Sequence, residues 1–387
     1  MQRSIFAPCL LLSLAFAAGC GGSGSTSGAV PSGAVPIPFT GGVRSAPAPS
    51  SFHITKKPAP QAPLGGIVIG ADNAVYLNAG SAFMRYSGTF TQYPYPNTAD
   101  ETFTGAGGPA SLADGPNASV WGIQIVDFTS ANFGNGAFAA IDTASHNVTE
   151  VLENATAPNG DFFGSLASGP NDTMWLAHVE LNGGFTAGWA DVYNASDALL
   201  GQFDSTGCTS PCKYYAPFSA MVLGTDHMMY VATQPGGESL GDDQPHPSVI
   251  YRVNPTTRTV IGTTALPSGS SVSQLTSGPD AAVWFTDSGL NKIGRITAAG
   301  TVSYFAVPTA NSGLSGIAAG SDNALWFTET SANKIGRIGT DGTITEYAIG
   351  DANAHPQGIT AGPLGGCVPQ TIYFTTASGL GILTFSP

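Results

Sequence analysis

The sequence predicts an all-β protein, a seven-bladed β-propeller with four antiparallel strands in each blade, over residues 62–387 of 387. A motif of one Gly followed six positions later by an aromatic residue recurs along the chain at intervals of 42 to 55 residues. Repeats of this length with a Gly turn and an aromatic strand are typical of propellers. The composition agrees, because 51 Gly and only 10% charged residues favour a turn-rich β protein over a helical one.

The repeated aromatic residues define the second strand of each predicted blade. They are Tyr76, Trp121, Trp175, Tyr230, Trp284, Trp326 and Tyr373, the last after a five-residue insertion that follows Gly362. Asp or Asn two positions after the Gly in the first six copies predicts a tight turn between the first and second strands. The second strand is apolar at consecutive positions, as in Val283-Trp284-Phe285, which indicates a strand buried on both faces between neighbouring blades.

The outer strands follow in the same order. Third strands are predicted over 291–296 and 333–338, and fourth strands over 301–307, 343–349 and 89–95. The last blade has room for only three strands between Gly358 and Phe385. Residues 51–56 are predicted to supply the fourth strand, because an unclosed ring would expose strand edges.

The first 61 residues predict export and anchoring rather than a folded domain. Residues 1–19 read as a signal peptide, and Phe16-Ala17-Ala18-Gly19-Cys20 resembles a bacterial lipobox, so lipid attachment to Cys20 is predicted. The alternative is ordinary cleavage near Ala18. Residues 20–61, rich in Gly, Ser, Pro and Ala, are expected to form a flexible tether. These features predict a bacterial cell-envelope protein bound to the membrane by lipid, at the outer membrane or cell surface.

The net charge limits the classes of binding partner, and the cysteine spacing predicts one cross-link. The formal net charge of −13 and the lack of a basic stripe argue against nucleic acid. Cys208 and Cys212, four apart, are predicted to form a local disulfide in an oxidising envelope, and Cys367 is left without an evident partner. A monomer is expected.

One equivalent position in each of the seven predicted blades lies near the central channel and carries polar residues in most blades. The residues three after each repeated aromatic form a ring: Ala79, Gln124, His178, Thr233, Asp287, Glu329 and Thr376. His178, Asp287 and Glu329 could hold a hard cation such as Mg²⁺ or Ca²⁺. They could equally be solvated polar residues at a rim, and the sequence establishes no cofactor.

Blades two to four carry long insertions on one side of the ring, at Gln124–Gly136, His178–Trp189 and Gln234–Pro247. We interpret these as loops that bind a small polar ligand or a protein partner, with Gln124, Phe128, Phe185, Trp189 and Gln357 as candidate contacts. The alternative is that the aromatic residues only fix long loops to the body.

The segments Gly278-Pro-Asp-Ala-Ala-Val-Trp-Phe-Thr-Asp287, Asn291-Lys-Ile-Gly-Arg-Ile296 and Asn333-Lys-Ile-Gly-Arg-Ile338 resemble the repeat of the virginiamycin B lyase (streptogramin lyase) family. The resemblance is strong over 271–349 and weaker elsewhere. It implies a seven-bladed propeller whose lyase members open a cyclic peptide lactone by elimination, with Mg²⁺ and with His and Glu residues on one face.

The family's catalytic pattern is matched only in part. Glu329 fits the family's Glu at the end of Trp-Phe-Thr-Glu. Gly313-Leu-Ser-Gly316 stands where the family has Glu-Pro-His-Gly, and Ser273 and Ser219 stand at the matching place of the preceding blades. The seventh blade reads His355-Pro-Gln357-Gly, with its His displaced.

Because Ser and Gln cannot accept a proton near neutral pH, the sequence favours a binding protein without catalysis. The alternatives are a diverged carbon–oxygen lyase or a metal-dependent lactone hydrolase, whose candidate catalytic residues are Glu329, Asp287, His178 and His355, and a purely structural envelope protein.

Overall fold

The computed structural model describes residues 45–49, 51–96, 101–105, 108, 111–128, 135–151, 161–182, 185–196, 198–204, 218–235, 248–362 and 370–385. The one helix within these ranges is a single 3-10 turn, Pro116–Ala118. No helix of the described part is long and apolar enough to cross a bilayer. Cys20, Cys208, Cys212, Cys367 and the predicted signal peptide lie outside the described residues.

The described elements are otherwise strands, grouped in seven sheets. In chain order they are β1 (Phe52–Pro58), β2 (Pro63–Ile69), β3 (Val75–Ala79), β4 (Ala82–Tyr86), β5 (Phe90–Pro94), β6 (Glu101–Gly105), β7 (Leu112–Gly115), β8 (Ser119–Phe128), β9 (Asn135–Asp142), β10 (Val148–Val151), β11 (Asp161–Gly169), β12 (Thr173–Asn182), β13 (Phe185–Tyr193), β14 (Leu199–Asp204), β15 (Phe218–Leu223), β16 (Met229–Thr233), β17 (Val249–Asn254), β18 (Thr259–Ala265), β19 (Val272–Ser277), β20 (Val283–Asp287), β21 (Lys292–Ile296), β22 (Val302–Ala306), β23 (Leu314–Ala319), β24 (Ala324–Glu329), β25 (Lys334–Gly339), β26 (Ile344–Ala348), β27 (Ile359–Ala361), β28 (Gln370–Thr376) and β29 (Gly379–Phe385).

The sheets confirm the seven-bladed propeller with antiparallel blades. Blades 1 to 6 begin with innermost strands β2, β7, β11, β15, β19 and β23, and blade 7 begins with β27. Each innermost strand contacts that of the next blade, and β2 contacts β27, so the ring is closed. Blade 2 differs from the prediction in one respect. Its innermost strand is in two pieces, β6 and β7, which pair with different parts of β8.

Blade 7 is closed by the N-terminal strand, as the sequence predicts. Strand β1 pairs antiparallel with β29 from Phe52–Phe385 to Pro58–Gly379. It is shifted slightly from the predicted 51–56. The Phe52 ring also packs edge-on against Tyr347 of blade 6, with centroids 4.7 Å apart. The first strand of the chain therefore becomes the outermost strand of the last blade and covers the edge of β29.

The core is divided into seven hydrophobic clusters, one for each interface between neighbouring blades. The repeated aromatic residues occupy equivalent places in the second strands, and all except the partly exposed Tyr373 are buried. Burial of large side chains contributes roughly 1.5–3 kcal/mol each. The consecutive apolar residues of these strands are thus explained by contact with a blade on either side.

The turn motif has a physical basis that is clearest in blade 5. The Trp284 indole lies over Gly278, where a Cβ would come within 2.3 Å of the ring. The Trp284 Nε1 donates to Asp280 Oδ1 at 2.9 Å, and the Arg295 Nε donates to Asp280 Oδ2 at 2.6 Å. Gly, Asp and an aromatic residue therefore recur together. The Gly leaves room for the aromatic ring, and the Asp carboxylate accepts hydrogen bonds from that ring and from an Arg of the third strand.

The same Asp–Arg pair recurs in blades 1, 4 and 6, through Asp72–Arg85, Asp226–Arg252 and Asp322–Arg337. We call the end of the ring that carries these four Asp residues the turn face. The second strands run from there to the opposite end, where they finish at Asp287, Glu329 and their equivalents. We call that end the site face.

Candidate functional site

The seven ring positions are structurally equivalent. Ala79, Asp287 and Glu329 close the second strands of their blades, and each is paired with the first residue of its innermost strand, namely Pro63, Val272 and Leu314. Gln124 and His178 take the same place within the longer strands β8 and β12. The prediction that these residues form one ring at the site face is therefore consistent with the strand register.

Asp287 is enclosed by its own blade. Its Oδ1 accepts hydrogen bonds from the backbone N–H of Ser271 at 2.9 Å and of Leu290 at 3.1 Å. Its Oδ2 accepts from the Ser270 hydroxyl and from the Tyr304 hydroxyl at 3.3 Å. The side chain is fully buried, so it joins the segment before β19 to the loop after β20 and presents no free oxygen to a ligand.

Glu329 occupies the same place in blade 6 but has a different environment. It is fully buried, and neither carboxylate oxygen has a hydrogen-bond partner of good geometry among the described residues, although the Ser312 hydroxyl and the Glu346 carboxyl group lie close to it. Burial, with the nearby negative charge of Glu346, raises the pKa of Glu329 to about 7, although the Lys334 ammonium opposes the rise. Glu329 is thus a carboxyl group that changes charge near neutral pH.

Three further polar groups complete this cluster. Glu346 accepts hydrogen bonds from the Thr309 N–H at 2.9 Å, the Thr309 hydroxyl at 2.8 Å and the Lys334 Nζ at 2.7 Å. Burial disfavours the charge of Glu346, but these donors outweigh it and hold its pKa below the usual value. The two neighbouring carboxyl groups therefore differ in protonation, a pattern common in functional sites and also in structural ion-pair clusters.

The titration of Glu329 gives a testable prediction. The folded chain keeps the proton between pH 4.5 and about 7 while the unfolded chain loses it, so stability falls as pH rises through this range. Glu329→Gln removes the group whose ionisation lowers stability. The free energy of unfolding of the variant, relative to that of the wild-type protein, should be about 2 kcal/mol larger at pH 8 than at pH 5, as measured by urea denaturation.

Glu346→Gln is the matched control, because it removes a charge that the fold stabilises and should lower stability at pH 8. A Glu329→Gln effect that is independent of pH would show that the pKa of Glu329 is not raised.

The described residues do not fit the Mg²⁺ or Ca²⁺ site that the resemblance and the ring suggested. Hard cations need several free oxygen ligands that face one space. Asp287 uses both oxygens for hydrogen bonds within blade 5, and Glu329 lies beside an ammonium group in blade 6. Among the described residues no three His, Cys, Asp or Glu side chains form a metal-binding group. The side chain of His178 is outside the description, and its role stays a prediction.

The innermost strands carry β-bulges beside the site face. The register shifts between Phe218 and Ala220, between Val272 and Gln274, and between Leu314 and Ile317. Bulges near active sites re-aim side chains. The residues inside these bulges include Ser219, Ser273 and Ser315, the positions that would carry a His in the family's pattern.

The serine side chains are used within the fold. The Ser219 hydroxyl donates to the carbonyl of Ala232 at 3.4 Å, and the Ser273 hydroxyl donates to that of Leu314 in the next blade at 3.3 Å. The innermost strands therefore have these bulges, but serines stand at the positions where the family's pattern has a histidine.

His355 and Gln357 lie where the chain enters blade 7, and both are exposed at the site face. His355 has φ 42° and its N–H donates to Asn333 Oδ1 at 2.8 Å. The Gln357 carbonyl accepts from the Gly316 N–H and from the Thr328 hydroxyl, which ties blade 7 to blade 6. Gln357 can thus meet a ligand with its side chain while its backbone stays fixed.

The other predicted ligand contacts lie at different levels relative to the ring positions. Gln124 is fully buried beside the Tyr95 hydroxyl, so the site face does not expose it. Trp189 pairs with His178 and is partly buried. Phe128 ends β8 and Phe185 begins β13, beyond the level of the ring. The side chains of Phe128 and Phe185 are outside the description.

The predicted loops of blades 2 and 3 are largely strands, which corrects the sequence interpretation. Strand β8 continues past Gln124 to Phe128, and β12 continues past His178 to Asn182. Strands β6, β9, β11 and β13 pair with these extensions. At 3.3 Å per residue the extensions rise roughly 13 Å beyond the ring positions. We call them the wall, defined as residues 101–105, 125–128, 135–136, 161–162, 179–182 and 185–188.

The third predicted loop lies mainly at 236–247, outside the description, as does the Cys208–Cys212 pair. Sequence reasoning missed the Lys334–Glu346–Thr309 cluster and the Asp–Arg pairs of the turns. A signal for the pairs was available in blades 5 and 6, where Arg295 and Arg337 each follow the repeated Trp by the same interval. No comparable pattern indicates the cluster around Glu329.

Comparisons with known proteins agree with this architecture. The profile of the Virginiamycin B lyase family matches residues 219–382, from the start of blade 4 into β29, the third strand of blade 7. A search of curated proteins finds no match. A streptogramin B lyase structure superposes with a TM-score of 0.64 at 23% identity, covering 88% of this chain and 100% of that one.

Two further structures are similar. A catalytically inactive virginiamycin B lyase variant from Staphylococcus aureus with quinupristin gives a TM-score of 0.62 at 23% identity, covering 87% of this chain and 100% of the other. The extracellular domain of a hybrid two-component system from B. thetaiotaomicron gives 0.56 at 14% identity, covering 86% of this chain and 39% of that chain. The chain therefore has a virginiamycin B lyase-like seven-bladed propeller fold.

Proposed function

We propose that this chain is a lipid-anchored protein of the bacterial envelope whose propeller binds a polar organic ligand at the site face without opening it. The observation that carries the proposal is the set of hydroxyl groups at Ser219, Ser273 and Ser315, in bulges where a lyase of this fold needs a proton-accepting side chain. Elimination at an ester removes a proton from carbon, and a serine hydroxyl has no basicity for that step at neutral pH.

The shape of the wall favours ligand binding as the function of the site face. The wall extends two adjacent blades beyond the ring positions, whereas the second strands of the other five blades end at them, so among the described residues the face has a high side and a low side. Ligand sites are concave and are built where rigid elements project around an opening. Gln357 stands exposed on the low side, in blade 7. A ligand on this face would thus meet the wall on one side and an amide group on the other.

A titration with quinupristin, a cyclic depsipeptide, tests the binding. In the variant, residues 180–187 are replaced by Asn-Gly, which keeps the Val179–Gly188 pair and closes β12 and β13 by a two-residue turn. We expect calorimetry to show binding to the wild-type protein and at least a tenfold weaker affinity for the variant, a loss of about 1.4 kcal/mol. Equal affinities, or no heat with the wild-type protein, would contradict the proposal for this ligand class.

The second candidate function is a diverged lyase or lactone hydrolase that uses Glu329. One observation favours it, since a carboxyl group with a pKa of about 7 is suited to act as a base near neutral pH. Against it, Glu329 is fully buried, so a substrate reaches it only if the residues around it move. Turnover that Glu329→Gln abolishes and Glu346→Gln preserves would favour this candidate.

A further inference from the structure

The chain enters the propeller at the turn face, and the entry is fixed by hydrogen bonds. The Ala46 N–H donates to the Asp322 carbonyl at 2.9 Å, and the Arg337 Nη2 donates to the Ala46 carbonyl at 2.5 Å. Ser45 lies against Gly339, where an added Cβ would come within 2.7 Å of the Ser45 hydroxyl. Asp322 and Gly339 both belong to turns at the turn face of blade 6.

The register of the closing strand gives the same direction independently. Strand β1 starts at Phe52, opposite Phe385, and Phe385 is in turn opposite Gln370, the first residue of β28. Because β28 runs from the turn face to the site face, Phe52 lies at the turn face and Pro58 at the site face. Ser45 and Ala46 therefore contact the ring on the side opposite Glu329.

We propose that the anchored propeller stands with its turn face toward the lipid bilayer and its site face away from it. The inference rests on the proposed lipid at Cys20. Cys20 precedes Ser45 by 25 residues. A flexible Gly/Ser-rich chain of 25 residues has a root-mean-square end-to-end length of roughly 25–30 Å. A chain of this length keeps the turn face near the membrane, and the site face then receives ligands from the far side.

The orientation is measured with a pair of matched labels in blade 5. Ala299 is exposed in the turn between β21 and β22 at the turn face, and Ser288 is exposed just after β20 at the site face. An encoded p-acetylphenylalanine at either position takes one fluorophore without involving any cysteine. The protein with its own anchor is placed in vesicles that contain nitroxide-labelled lipid headgroups, and quenching of the two labels is compared.

The label at position 299 should be quenched at least about threefold more than that at position 288, because a five-residue strand separates the two ends by roughly 17 Å. Equal quenching, or stronger quenching at position 288, would overturn the orientation. In a second arm the chain from residue 20 carries a hexahistidine tag in place of Cys20 and binds vesicles that contain nickel-chelating lipid.

The tagged arm tests the orientation without natural lipidation, so the two claims can fail separately. Mass spectrometry that finds no lipid on Cys20, together with unequal quenching in the tagged arm, would refute the anchor and retain the geometry. Lipid on Cys20 with equal quenching in both arms would retain the anchor and refute the geometry.

Discussion

A chain that begins at Ala59 is expected to melt at least about 10 °C below a chain that begins at Ser45, or to fail to fold. The shorter chain lacks β1, which pairs along the whole of β29. Its loss exposes the hydrogen-bonding edge of β29 and part of the cluster between blades 6 and 7, where Ile54 packs. Exposed strand edges also promote association between chains. Differential scanning calorimetry with light scattering measures both effects.

A chain that begins at Ser51 is the matched control for this truncation. It keeps all of β1 and loses only residues 45–49, so its melting temperature should lie close to that of the longer chain. If the chain beginning at Ala59 melts with the others, ring closure does not depend on β1 and the pairing with β29 contributes little stability.

Asp322→Ala is expected to destabilise the propeller by about 3–5 kcal/mol, the range for breaking a buried ion pair from one side. Asp322 accepts hydrogen bonds from Arg337 at 2.7 Å and from the Trp326 indole at 3.1 Å. The side chain of Arg337 is only 4% exposed and that of Asp322 only 1%. The substitution leaves a buried guanidinium without its carboxylate, because Ala46 covers the pair at the turn face.

The same motif in blades 4 and 5 provides internal controls. The Asp226–Arg252 pair is 21% and 27% exposed, and the Asp280–Arg295 pair is 10% and 24% exposed. Water can solvate the Arg that remains, so Asp226→Ala and Asp280→Ala should cost about 1 kcal/mol each. Urea denaturation of the three variants measures the order.

Asp322→Ala combined with Arg337→Met should recover part of the loss, since no unpaired charge remains. Equal effects of the substitutions in blades 4, 5 and 6, with no recovery in the double variant, would show that burial by residues 45–49 has no energetic role.

Much of the fold was predictable because one local rule is repeated. A Gly is required wherever the aromatic ring covers the turn, as Trp284 covers Gly278. The Phe after that Trp lies over Gly294 of the third strand, which explains why Lys-Ile-Gly-Arg-Ile recurs with it. Contacts of this kind leave a fixed spacing in the sequence, so the number of blades and the closing strand could be inferred.

The candidate site was predicted less well because it depends on contacts between distant segments. Asp287 and Glu329 hold equivalent places, but only Asp287 is capped, by Ser270, Ser271 and other groups of its blade. The pKa of Glu329 is raised by burial and by the charge of Glu346, a residue of the outermost strand. The wall was interpreted as loops because blades 2 and 3 have several more residues after the second strand than blades 5 and 6. Length alone does not show that strand pairing continues through the extra residues, as it does in β8 and β12.

The central claim, binding at the site face without ring opening, is tested most directly by incubating the protein with quinupristin, with and without Mg²⁺. Liquid chromatography with fragment-ion mass spectrometry is needed, because elimination at the ring ester leaves the mass of the molecule unchanged whereas hydrolysis adds one water. We predict that the cyclic compound stays intact while an active virginiamycin B lyase, run in parallel, converts it to the linear product. Conversion by the purified wild-type protein, dependent on Mg²⁺ or on Glu329, would contradict the claim.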